Sequence, residues 1–152
     1  MAKDIVEIFE DYATTQSFRY KYGNRNVLNL LQSNSADFPD QVHLLVESVT
    51  RQSEIGSMGL SRNAVLYSGR YILALPDDYA SHVYNENETD ISKSKYKIKI
   101  KPLLTNFKEL ESQFMACDGL DILTHENSDT INFLDANLTG LFCTFKFRVY
   151  EN

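Results

Sequence analysis

The pattern of the chain predicts an α+β domain: a four-stranded, mostly antiparallel sheet packed with an N-terminal helix and one long central helix. Three observations carry this. Ile5, Ile8, Phe9 and Tyr12 recur at helical spacing near the start. Tyr96, Ile100, Leu103, Phe107, Leu110, Phe114 and Cys117 form an apolar stripe of helical period. Leu141, Cys143, Phe145, Phe147 and Val149 alternate with Thr144, Lys146 and Arg148, the signature of a half-buried antiparallel strand. With 152 residues, no internal repeat and no linker-like stretch, a single domain over 1–152 is expected, with flexible loops near 53–63 and 77–90.

The first helix carries its acids near the positive end of its dipole. Phe18, Tyr20 and Tyr22 alternate with Arg19 and Lys21, which predicts a short extended segment ended by Gly23-Asn24. Asn26 is placed to cap a short helix through Leu31, and Phe38-Pro39-Asp40 breaks it. Gln41–Arg51 is rich in β-branched residues with two partly apolar faces, as in an inner strand. Ser53–Asn63, with Gly56 and Gly59, reads as a loop. Ala64–Leu75 follows as a long strand, with Gly69 as a bulge candidate, and Pro76-Asp77-Asp78 stops it. The segment 92–117 is ambiguous. Its apolar phase runs unbroken through Pro102, which favours a helix kinked or restarted there; the rival is a strand to Ile100 and a helix from Pro102. Gly119 suits a helix stop, Leu120–Leu123 is short and apolar, Thr130–Leu134 predicts a strand, and Asp135–Gly140 a turn.

Composition narrows the function classes. Fifteen basic and 21 acidic side chains leave a formal charge of −6, which disfavours broad nucleic-acid binding. Four acids in the first eleven residues do not fit a secretory leader, Ala2 excludes myristoylation, and no apolar run approaches the roughly 20 residues that cross a bilayer. Cys117 and Cys143 form no CxxC pair, so two free thiols in a reducing compartment are expected. Asn87-Glu88-Thr89 and Asn137-Leu138-Thr139 match the glycosylation triplet by chance on this reading.

Gly56-Ser57-Met58-Gly59 lacks the spacing and the Lys-Ser/Thr of a phosphate loop. His43, His82, His125, Cys117 and Cys143 show no chelating pair, and both cysteines fall on apolar faces. Asp77-Asp78, and Asp118 with Asp121, sit in turn contexts where Asp serves local hydrogen bonding. No nucleophile elbow exists; a cleft gathering His43 or His125 with a carboxylate would be needed for an enzyme. No catalytic, cofactor or metal residue is therefore expected. The conspicuous charge feature is Lys93, Lys95, Lys97, Lys99 and Lys101. Without them ten bases face 21 acids, a balance of −11, so the chain is acidic with one basic patch, the candidate interaction surface. A contact between basic and acidic faces of identical copies is heterologous and closes into a ring or runs on as a filament.

As an ordered layout the chain resembles the tail-terminator and head–tail joining (neck) proteins of tailed bacteriophages. The likeness rests on the amphipathic first helix followed by Tyr20-Lys21-Tyr22-Gly23, and on the Phe38-Pro39 turn leading into Val42–Val49. It extends to the loop and second strand before a long helix, and to Asn137-Leu138-Thr139-Gly140 before the closing strand Leu141–Tyr150. Pro102 and the lysine run depart from that layout. The resemblance implies a non-catalytic virion protein without a cofactor, assembled in the host cytoplasm as a homo-oligomeric ring among neighbouring tail or neck proteins. DNA would pass through its lumen without sequence-specific binding. The loops at 53–63 and 77–90 are the expected ring contacts. The rival expectation is a non-catalytic adaptor using the 93–101 patch or an exposed sheet edge.

Overall fold

The computed structural model describes residues 4–24, 41–55, 63–76, 96–133 and 138–151, with 131–133 described in backbone only. The predicted helix over 26–31, the Phe38-Pro39-Asp40 turn, His82, Lys93, Lys95, the 77–90 stretch and most of the 53–63 loop lie outside these residues.

Helix α1 spans Ile5–Gln16. Asp4 caps it by accepting a hydrogen bond from the Val6 N–H at 2.8 Å. Ser17 ends it in the left-handed conformation (φ 59°), its N–H turned back to the Ala13 and Thr14 carbonyls. The chain leaves directly into β1 (Arg19–Gly23). Strands β2 (His43–Glu47), β3 (Thr50–Glu54) and β4 (Ala64–Pro76) follow, then a π-helical turn over Tyr96–Ile100, α2 (Lys101–Met115), β5 (Leu120–Phe133) and β6 (Leu138–Tyr150).

The expected four-stranded sheet with one long central helix is corrected. The described residues form six strands in the order β1-β2-β4-β6-β5, with β3 also paired to β4. β1 and β2 are parallel; the other pairings are antiparallel. The physical reasons are local. Gln41–Arg51 is not one uniform strand: β2 stops at Glu47 and β3 resumes at Thr50, both on the same side of β4. The register slips by one residue between Val46↔Tyr71 and Thr50↔Ser68. The extra residue therefore lies on the β2–β3 side, opposite Gly69, rather than in β4. The released Val49 N–H donates to the Tyr22 hydroxyl at 3.2 Å. Within the ambiguous segment 92–117, expected as a helix kinked or restarted at Pro102, the described residues form a π-helical turn followed by a 15-residue helix. Pro102 sits in the first turn of α2, where its missing N–H costs nothing, so it starts a helix instead of bending one.

The largest departure is β5. Sequence patterning gives two apolar pieces, Leu120–Leu123 and Thr130–Leu134, separated by polar residues. The structure joins them into one 14-residue strand running through His125-Glu126-Asn127-Ser128-Asp129. β6 supplies the ladder, and backbone hydrogen bonding does not require apolar side chains. Leu123 is the bulged residue of this pairing, between Ile122↔Phe147 and Thr124↔Lys146. At the other end, Leu138–Gly140 of the expected 135–140 turn belong to β6, and the rest of that turn lies outside the described residues.

Both helices pack on one face of the sheet. Ile5, Ile8 and Phe9 of α1 and Leu103, Phe107, Leu110 and Phe114 of α2 bury against Leu44, Val46, Tyr71, Leu73 and the inward residues of β6. Phe9 is central, with ring centroids 4.9 Å from Tyr71, 5.1 Å from Phe114 and 5.4 Å from Phe145. Leu45, Ile72, Ala74 and Leu138 form a smaller buried cluster on the reverse face.

Candidate functional site

The α2–β5 seam holds the chain's main polar constellation. Glu111 stands four residues after Phe107 and three before Phe114, so it shares the inward edge of the α2 stripe. His125 lies opposite Phe145, on the helix-covered side of β5. Tyr71 comes from the middle of β4 and is fully buried. The Tyr71 hydroxyl lies 2.6 Å from His125 Nε2, and His125 Nδ1 lies 2.9 Å from Glu111 Oε2. A carboxylate only accepts, so the partners assign the proton to Nδ1, and Tyr71 donates to Nε2. The other Glu111 oxygen is 3.7 Å from Lys108 Nζ. Phe107 stacks on the imidazole at 4.0 Å.

Burial pushes the His125 pKa below its ordinary value, outweighing the opposing pull of Glu111, so the ring is neutral at pH 7. Burial also holds the Tyr71 hydroxyl well above its usual range. Cys143 adjoins Tyr71 in the same core, and burial pushes its thiol up to about 12. An acid, a base and a hydroxyl in a row have the components of a relay. However, both imidazole nitrogens are engaged, the His125 side chain is 1% exposed, and the hydroxyl ends inside the core. The chain of groups therefore ties α2 to β4 and β5 and offers neither a free base nor an accessible nucleophile.

Beside it, a shallow groove of about 440 Å³ runs between the end of α2 and the start of β5. Glu111, Met115, Asp121, Leu123, Thr124 and His125 line it. Met115 is 69% exposed and the bulged Leu123 40%, so the groove presents apolar surface next to acids.

The sheet edges complete the surface. Among the described residues β5 ends the sheet on one side and β1 on the other. Asp121, Glu126 and Asp129 are exposed along β5. β1 carries Arg19 and Lys21. Pairing opposite Arg148 and Thr144 puts Asp121 and Glu126 on the reverse side of the sheet; pairing opposite His43 and Leu45 puts Arg19 and Lys21 on that same side.

The predicted lysine patch is only partly described. Lys97 and Lys99 lie in the π-helical turn and Lys101 opens α2. Lys97 and Lys101 are exposed, whereas Lys99 donates to the Pro76 carbonyl at 3.1 Å, fastening the turn to the end of β4. His43 is buried in β2, far along the sheet from His125, and its Nε2 has no hydrogen-bond partner among the described residues. Cys117 and Cys143 form no disulfide. Among the described residues no cluster of His, Cys, Asp and Glu is arranged to hold a metal ion, and no helix is long and apolar enough to cross a membrane. His125 is among the sequence candidates, within the polar stretch between the two apolar pieces of β5. Sequence reading missed Glu111 and Tyr71, although an acid at the inward phase of an apolar helix was a usable signal.

No family model matches the chain, and no curated protein matches it.

Proposed function

We propose that the chain is a structural subunit that assembles head to tail into a ring, as in the tail or neck of a tailed bacteriophage. The observation that carries the assembly part is the charge on the two terminal strands of the sheet that the described residues form: exposed acids on β5, half-buried Arg19 and Lys21 on β1. An exposed strand edge is a template for pairing with another chain, and edges of opposite sign select a different edge as partner. The resemblance in layout supports the virion part, with DNA passing through the lumen. The Glu111–His125–Tyr71 network, buried at His125 and Tyr71, supports a structural role, because it stiffens the seam next to the acidic β5.

The test is solution mass over a concentration series, followed by negative-stain imaging of the protein and of purified particles. Rings, or incorporation into particles, are expected. A protein that stays monomeric at every concentration and is missing from particles overturns the reading. A second reading, a binding module for an extended peptide, is favoured by the apolar groove alongside the β5 edge. It predicts a monomer whose β5 amides become protected from exchange only when a partner is added.

A further inference from the structure

We infer that the β1 edge of one copy pairs antiparallel with the β5 edge of the next, with Lys21 facing Glu126. This rests on the assembly reading above and names its interface. Strand directions come first. β1 and β2 run one way, β4 the opposite way, β6 with β2, and β5 with β4. A sheet continued from copy to copy by rotation about one axis preserves those directions. The β5 of one copy therefore meets the β1 of its neighbour antiparallel, the pairing with the more favourable ladder.

Faces come second. On a shared sheet, side chains meet only across the same face. Arg19 and Lys21 occupy the reverse face of β1, and Asp121 and Glu126 the reverse face of β5, so bases and acids meet without a flip of the sheet. Setting Lys21 opposite Glu126 fixes the other positions. Tyr22 then falls opposite His125, on the helix-covered face, at the groove lined by Met115 and Leu123. Tyr22 is 40% exposed in the single chain, an aromatic surface that this register covers. Gly23 falls opposite Thr124, next to the bulged Leu123, where a residue without a side chain leaves room.

Charge excludes the symmetric alternative. Pairing β5 with a second β5 would set Asp121 and Glu126 of both copies on one shared face, and like charges across strands oppose pairing. The heterologous contact leaves one edge of each sign open at every step, so it propagates until it closes.

The experiment uses the full chain with Lys21→Glu, Glu126→Lys and the two combined, each checked for an unchanged fold by circular dichroism. Sedimentation over a concentration series reads assembly. Each single reversal sets like charges opposite each other at this pair and is expected to raise the concentration needed for assembly by about tenfold or more. The double variant, with both signs exchanged, is expected to assemble near the wild-type concentration. An equimolar mixture of the two single variants is expected to assemble as well, because each supplies the edge the other lacks. Wild-type assembly that both single reversals leave unchanged overturns the edge pairing while the ring reading stands. A species that stops at two copies and ignores mixing indicates symmetric pairing and overturns the head-to-tail contact. A wild-type protein that is monomeric up to its solubility limit, and absent from particles, overturns both.

Discussion

Tyr71 and His125, 54 residues apart, meet at 2.6 Å across β6, on the sheet face that α2 covers. The imidazole is thereby held between a hydroxyl donor and the Glu111 acceptor and stacked on Phe107. Replacing Tyr71 by Phe keeps the ring and removes the donor, leaving Nε2 buried and unpaired. We expect a loss of about 1–3 kcal/mol in urea unfolding. Tyr71→Phe combined with His125→Phe should cost less than the two single losses added, because the stranded nitrogen disappears with the histidine. Strict additivity in that double-mutant cycle would contradict a coupled network.

Acid should destabilise the fold through His43. Burial first, then the nearby Arg19 and Lys21 charges, lowers its pKa to about 4 from the ordinary 6.5. Between these values the unfolded chain binds the proton and the folded chain does not, so stability rises with pH across that window. The contribution is fully present above pH 6.5 and is lost as pH falls to about 4, reaching about 3 kcal/mol. His125 adds in the same direction. Unfolding midpoints measured from pH 7 to pH 4 should fall, and His43→Leu should flatten part of that slope. A slope unchanged by His43→Leu would show that the histidine is not held neutral.

Gly140 of β6 lies against β4, paired with Ala74. A Cβ there would run into the Leu73 carbonyl oxygen and come within 2.7 Å of Ala74 Cα and 2.9 Å of Leu103 Cδ1. Two of these neighbours are backbone in the middle of the sheet and cannot give way. Gly140→Ala should therefore cost at least about 3 kcal/mol, read as a thermal midpoint drop or loss of soluble protein. A variant of wild-type stability would mean that the two strands are not this close.

Ser17 adopts a left-handed conformation at the end of α1 without the freedom of glycine. Ser17→Gly should stabilise the protein by about 0.5–1 kcal/mol, since it relieves the Cβ contact and keeps both capping hydrogen bonds of the backbone. Calorimetry reads the change directly, and a lower midpoint would contradict the assigned cap.

Local chemistry alone determined a good part of this protein. The apolar phases of α1 and α2, the alternation of β6, the start of β1 after Phe18 and the buried positions of Cys143 and Phe145 all follow from periods of a few residues. Each is set by one element's own geometry. Tertiary structure alone decided the rest. A polar run such as His125–Asp129 becomes strand only because β6 lies alongside to complete its ladder. β2 and β3 divide only because β4 has one residue fewer between the paired positions. His125, Glu111 and Tyr71 converge from three elements, so no spacing along the chain announces them. The lysine run was legible as charge, but not that Lys99 turns inward to Pro76. The edge charges were equally hidden: Lys21 and Glu126 were visible as residues, while their placement at opposite ends of one sheet depends on strand order, which long-range hydrogen bonding sets.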